Sequence, residues 1–349
     1  MKDTPPKRVT LREIAQKAGC SHVAVSLALR DSPRISKSRK LHIQDIAAEM
    51  GYRPDPVLRQ LVNYRYAETR QRLHSTIGWI NNWEDPKHFF KCTEFRRYFE
   101  GAQTAAEKLG YDIEPFNIQE LKVSSKRLRD IMLTRGIRGL IVPPQPSTFQ
   151  IPSEGWDDFS ILRIGFNSPN SNRHIVCTDQ FEGGRIAALS MLKHGYKRIG
   201  YIGFKGKEER TRYHFLSGFQ THRDLHVPSH DIIPPLLLES ENPEHGRASY
   251  QQWLEQNRID AVFVSHPLVR QWTQELGLEV GKQLGMAGSS IYDSGFDSGL
   301  DQQPYEIGEV AMQFLSRLVE HQEFGVPKIP QRLLVSPTWV SGSSLQREA

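Results

Sequence analysis

The chain has 349 residues, too many for one compact core, and no apolar run long enough to cross a bilayer. Its polar opening, MKDTPPKRVT, lacks the apolar centre of an export signal, so a cytoplasmic protein with no membrane partner is expected. The net charge of +5 is concentrated at one end: residues 1–72 carry 15 basic and 7 acidic side chains, a local excess of +8, against −3 for the rest, which suggests a polyanion such as nucleic acid as partner.

In VTLREIAQKAG, Leu11, Ile14, Ala15 and Ala18 recur at helical spacing. Thr10 and Glu13 form a capping-box pattern at its start, and Gly19 stops it. Ser21 then caps a second helix to about Leu29, so the two read as a helix-turn-helix. Asp31-Ser32-Pro33 breaks the chain. Ser36 is expected to cap a third helix from about Lys37 to Met50, with Leu41, Ile43, Ile46, Ala47 and Met50 as its apolar set and Gly51 at its end. Val25, Ala28 and Leu29 should face a small core with Ile14 and Ile46. His22, Val23, Ser26, Leu27 and Arg30 are then free to meet DNA, because a helix of this size fits the major groove.

In YRPDPVLRQLVNYR, Asp55 can cap a helix and Pro56 suits its first position. Leu58, Leu61 and Val62 form a short apolar stripe. A helix of about nine residues is not stable alone in water and needs a partner or a surface. AETRQRLHST reads as a linker.

Beyond it, apolar strands alternate with helical patterns. STIGWIN, RGLIVPP, ILRIGF, KRIGYIG and AVFVS read as strands; Phe95–Leu109, Ser125–Arg135, Phe181–His194, Arg247–Gln256 and Tyr305–Gln322 read as helices. Such alternation means parallel α/β structure. No Gly-rich phosphate loop, nucleophile elbow or metal-spaced His pair is present, so no catalytic residues are expected. Cys20, Cys92 and Cys177 are widely spaced, which argues against disulfides or a zinc site. His222, His226 and His230 read as a polar loop. No metal or cofactor is expected. The ending SGSSLQREA has no heptad repeat and no sign of a tetramer-forming helix.

Residues 9 to 61 resemble the headpiece of the lactose-repressor (LacI) family without a gap. The marks are VTLREIAQKAG, Ser21 followed by Val25-Ser26 and Leu29, Ile35-Ser36 before a basic helix, and GYRPD leading to Arg59 and Leu61. TDQFEGGRIAALSMLKHGYKRIGYIG and DQQPYEIGEVAMQFL resemble later parts of the family. The resemblance implies an all-α helix-turn-helix headpiece (1–58), a hinge helix and linker (59–74), and a two-lobed α/β effector and dimerisation domain (75–349) like periplasmic sugar-binding proteins. Lobe 1 is expected at about 75–178 and 297–325, lobe 2 at about 179–296 and 326–345. It also implies a homodimer that binds double-stranded operator DNA with two-fold symmetry, most simply as a repressor.

By position, Thr10, Leu11, Ser21, His22, Val23, Ser26, Leu27, Arg30, Arg34, Ser36, Arg39, Tyr52, Asp55, Leu58, Arg59 and Leu61 are the DNA-contact candidates. Leu61 corresponds to the family's minor-groove wedge. Leu27 stands where many members have Arg. It can offer only apolar contact, as to a thymine methyl, so few strong guanine contacts are expected from this helix. Arg30, Arg34 and Arg39 can compensate through phosphates.

For a sugar-type effector between the lobes, the candidates are Asn81, Asn82, Trp83, Asn167, Asp179, Phe181, Arg212, His266, Asp293 and Gln302. Sugar hydroxyls need fixed polar partners, and the ring offers an apolar face for stacking. The family's ligand-binding Arg lies three or five residues before a Gly-Phe pair. Here, before Gly218-Phe219, those places hold Phe215 and Tyr213, with Arg212 one residue further back. Two readings are then open: an aromatic-rich effector site, or a DNA-binding regulator that has lost effector control. A further alternative is a sugar-binding module whose basic end meets RNA or a membrane. For the hinge pattern, Leu61→Ala should lose operator specificity more than nonspecific affinity. Equal loss on both DNAs, measured by gel shift, would contradict the wedge.

Overall fold

Two stretches of the chain bury their apolar side chains separately: the part before Ser75, and nearly all of the chain from Ser75 onward. The computed structural model describes residues 9–29, 35–52, 75–85, 87–121, 124–146, 155–166, 172–239 and 243–346.

The first unit is built on α1 (Leu11–Lys17), α2 (His22–Leu29) and α3 (Lys37–Glu49). Among the described residues, seven side chains seal its core: Ile14, Ala15, Val25, Ala28, Ile43, Ile46 and Ala47. Three are alanines, so the helix axes approach closely and the remaining faces point outward.

The second unit holds two six-stranded sheets. The chain enters lobe 1 through β1 (Ser75–Asn81), α4 (His88–Lys91), α5 (Thr93–Leu109), β2 (Tyr111–Asn117), α6 (Ile118–Leu121), α7 (Ser125–Thr134), β3 (Gly139–Val142), β4 (Ser160–Ile164) and β5 (His174–Thr178). It crosses to lobe 2 and runs through α8 (Gln180–Lys193), β6 (Ile199–Phe204), α9 (Lys205–Arg210), α10 (His214–Asp224), β7 (Leu236–Leu238), α11 (Pro243–Asn257), β8 (Ala261–Val264), α12 (Leu268–Glu275), β9 (Gly285–Gly288) and β10 (Gly299–Asp301). It returns to lobe 1 with α13 (Pro304–Glu320) and β11 (Arg332–Val335) and ends in lobe 2 with β12 (Thr338–Val340).

The sheet orders are β11-β5-β4-β3-β1-β2 and β12-β10-β9-β8-β6-β7. Every pair is parallel except β10 with β12. The strands read from sequence are central ones, β1, β3, β4, β6 and β8, whose apolar side chains are covered on both faces.

Two boundaries differ from expectation. The return to lobe 1 comes after Asp301 rather than near residue 297, because β10 completes the second sheet beside β9 and β12. Residues 332–335, expected in lobe 2, form β11 and extend the first sheet alongside β5. The segment around His222 is also helical rather than a loop: α10 turns Phe215, Leu216, Phe219 and Arg223 inward, and His222 Nδ1 lies 3.0 Å from the Gly218 carbonyl.

Each lobe contains one helix pair in backbone contact. In lobe 1, a methyl on Gly101 would collide with the Tyr305 carbonyl, and one on Gly308 with the Tyr98 carbonyl, so α5 and α13 touch through both. In lobe 2, Gly184 meets the Phe215 carbonyl and Gly218 the Phe181 carbonyl, joining α8 to α10. Backbone atoms cannot move aside as side-chain tips can. Gly184→Ala should therefore cost ~3 kcal/mol and lower the urea midpoint by roughly 1 M. Gly206→Ala, on a helix position facing open space, should instead raise stability by up to about 1 kcal/mol. Equal midpoints for the two variants would contradict this packing.

Candidate nucleic-acid interface and interlobe cleft

The helix-turn-helix is assembled from short-range hydrogen bonds. Thr10 Oγ1 accepts from Glu13 N at 3.3 Å, and Glu13 Oε2 accepts from Thr10 N at 2.7 Å, which is a capping box. Gly19, at φ +60°, turns the chain. Ser21 Oγ accepts from Ala24 N at 3.2 Å and caps α2. At the far end, Gln44 of α3 donates to the Ala28 carbonyl at 2.9 Å, satisfying one of the acceptors a helix end leaves open. Lys17 pairs with Glu49 at 3.1 Å between α1 and α3.

Helix α2 is therefore held at both ends and along its Val25–Ala28 face. His22 is exposed and Val23 is 53% exposed, whereas Ser26, Leu27 and Leu29 are half-buried. Among the other contact candidates, Thr10 is exposed and spent on the cap. Leu11 and Tyr52 pack against the headpiece core. Arg39 is exposed on α3. Ser36 stands at the start of α3, but its side chain makes no capping bond there; its hydroxyl lies 3.5 Å from that of Ser38. Arg30, Arg34, Asp55, Leu58, Arg59 and Leu61 lie outside the described residues, as does Asn167 of the effector set.

At the carboxyl ends of the strands, the polar candidates are bonded within the chain, mostly to nearby backbone groups. Asn81 Oδ1 accepts from Trp83 N at 3.1 Å, and Trp83 Nε1 donates to the Pro144 carbonyl at 3.1 Å. Asn82 N donates to Gln145 Oε1 at 2.8 Å, and Gln145 Nε2 donates to the Ile80 and Pro143 carbonyls. Trp83 stacks near His88, with ring centroids 4.3 Å apart. Asp179 caps α8 by accepting from Glu182 N at 3.0 Å, and its own N–H donates to the Val335 carbonyl. Phe181 is exposed, edge-on to His222. His266 Nδ1 accepts from Leu268 N at 3.2 Å, and its ring meets Phe204. Gln302 donates to the Ser289 carbonyl at 2.7 Å. Arg212 and Tyr213 both hold left-handed backbone, at φ +55° and +57°; Arg212 is exposed, and Phe215 is sealed in the lobe 2 core.

Asp293 is the candidate that spans the lobes. Its carboxylate, from the loop between β9 and β10, accepts from Thr93 N at 2.6 Å, Thr93 Oγ1 at 2.9 Å and Glu94 N at 3.3 Å, all on α5 of lobe 1. Beside it, Ser290 Oγ donates to Glu94 Oε2 at 3.0 Å, and Tyr98 donates to Glu94 Oε1 at 2.9 Å. Burial pushes the Glu94 carboxyl above its ordinary value, while the Tyr98 and Ser290 hydroxyls and the Lys207 charge work against that rise. Arg97 of α5 lies over the Tyr292 ring, 5.1 Å from its centroid.

Glu94, Tyr98, Ser290 and Lys207 were not singled out from sequence. Only the Thr93-Glu94 pair opening a helix carries a local signal of them. Among the described residues, no three His, Cys, Asp or Glu side chains are grouped to hold a metal, and no helix is long and apolar enough to cross a membrane.

Residues 10–55 match the family model of bacterial regulatory proteins, lacI family. Over 97% of this chain and 98% of the relative, the chain is 22% identical to the HTH-type transcriptional repressor PurR of Haemophilus influenzae (strain PittEE). Two solved structures share the fold, each covering 97% of this chain and 100% of its own. They are a transcriptional regulator CelR–cellobiose complex, with TM-score 0.55 and 16% identity, and the lac repressor dimer bound to operator and the anti-inducer ONPF, with TM-score 0.54 and 17% identity.

Proposed function

From the match of residues 10–55 to the lacI family of bacterial regulatory proteins and the full-length likeness to a transcriptional repressor, we propose that the chain is a cytoplasmic homodimeric transcriptional repressor of that family, which reads a two-fold-related operator and answers to a small molecule between its lobes. The observation that carries the DNA reading is the setting of α2. Val25 and Ala28 are wholly buried while His22 and Val23 stand in solvent. A helix so held presents one face to base edges without giving up its core.

Residues 1–58 act as the headpiece, 59–74 as the hinge and linker, and 75–349 as the effector and dimerisation part. Each subunit supplies one headpiece, so protein symmetry requires operator symmetry. Arg30, Arg34 and Arg39 anchor the phosphates. His22, Val23, Ser26 and Leu27 meet bases, and Leu61 wedges the centre. A dimer seated on promoter DNA represses by occlusion.

The effector is a sugar-type molecule, a reading supported by the likeness to the CelR–cellobiose complex. A second reading, a regulator without effector control, is favoured by one observation. Asn81, Trp83, Asp179, His266, Asp293 and Gln302 already have hydrogen-bond partners within the chain. A thermal-shift survey of sugars separates the two, because a ligand at 100 times its Kd stabilises by about 2.7 kcal/mol.

The DNA reading is tested by selecting bound duplexes from a random pool with the full-length protein. A two-fold-symmetric motif with few guanine contacts in each half-site is expected. Retained duplexes without any shared motif would overturn sequence-specific recognition.

A further inference from the structure

Helix α5 runs for 17 residues, yet the residue at its N-cap, Cys92, supplies no side-chain capping bond. The first amide groups of a helix need acceptors, and the helix dipole favours a negative charge there. In lobe 1 that acceptor comes from the other lobe. Asp293 places one carboxylate oxygen on the amides of Thr93 and Glu94 and the other on the Thr93 hydroxyl. Asp293 holds φ +54°, a conformation side chains seldom adopt and Asp tolerates better than most, so the local backbone is committed to aiming this group. Ser290, three residues earlier, adds a second tie through Glu94.

The segments that cross between lobes also bond sideways. Asp179 N donates to the Val335 carbonyl at 2.8 Å, and Gln303 Nε2 to Thr338 Oγ1 at 2.8 Å. The cross-lobe cap is thus set against a stitched hinge.

We propose that Asp293 is an interlobe latch: by capping α5 across the cleft it holds the two lobes together without ligand, so that closure is built into the chain rather than supplied by an effector. Opening the lobes strips α5 of its cap and leaves Asp293 without its donors, and both losses favour the closed form. Any effector must then act through this latch, by displacing Asp293 or by adding to its hold. This consequence rests on reading the two lobes as the effector-responsive part.

The test uses the full-length, ligand-free protein carrying paired spin labels on non-natural side chains at exposed Glu120 of lobe 1 and Glu239 of lobe 2. Distances are read by pulsed electron resonance. With the labelled chain diluted in excess unlabelled chain, so that distances within one subunit dominate, the otherwise unaltered chain should give one narrow distribution. Asp293→Ala should broaden it and shift it to longer separations, with Thr93→Val intermediate because it removes only the hydroxyl donor. If Asp293→Ala fails to fold, Thr93→Val decides alone. A distribution unchanged by the folded variants would overturn the latch. Operator binding by the same samples is measured separately. An unaltered protein that binds no sequence specifically would remove the repressor reading and leave the latch standing, whereas unmoved labels would remove the latch and leave the repressor.

Discussion

Helix backbones brought into close approach by small residues set the rest of this molecule. Gly101 with Gly308, and Gly184 with Gly218, put carbonyl groups where a methyl cannot fit. Ala15, Ala28 and Ala47 do the milder equivalent in the headpiece. Contacts of this kind leave a helix one position along and around its neighbour, because sliding by one residue turns a glycine into a collision. What each helix shows to its surroundings is then a consequence of what it hides. On α2 the hidden side is Val25 and Ala28, and the shown side begins with His22 and Val23.

The two-lobed unit adds a second constraint, the repeated crossing of the chain between sheets. The first sheet is completed by β11 and the second by β10 and β12, so neither lobe is one continuous stretch of sequence. Polar groups at the strand ends are bonded largely to nearby backbone, as Trp83 is to the Pro144 carbonyl and Gln145 to the Ile80 and Pro143 carbonyls. Asp293 turns the same economy across the cleft. On the proposed reading, a ligand between the lobes would compete with these existing bonds, and it would shift the lobes only by its difference in affinity for their arrangements.

Local signals made the headpiece legible. Thr10 with Glu13, Gly19 and Ser21 act within a few residues of themselves, and each does in the structure what its type and spacing suggest. Ser36 shows the limit, since a hydroxyl before a helix can turn to a neighbour instead. In the α/β part, strands with their own apolar side chains were legible. β9, reading GMAG, was not, because the Tyr196 ring fills the space beside Gly285. The lobe assignment of β10 and β11 depends on which sheet edge is open, a property of the whole fold. Asp293 could be named from sequence as a polar cleft residue, but its partners lie about 200 residues away, so its role as a cap could not.

The central claim is that the exposed face of α2 touches base edges while its other face holds the headpiece together. A photoreactive side chain replacing Val23, which is 53% exposed, tests it most directly on a duplex the protein selects. The account predicts crosslinks to major-groove bases at two symmetry-related positions, one from each subunit. Crosslinks absent from bases, with the protein still bound, would contradict it and move recognition to another face of the headpiece.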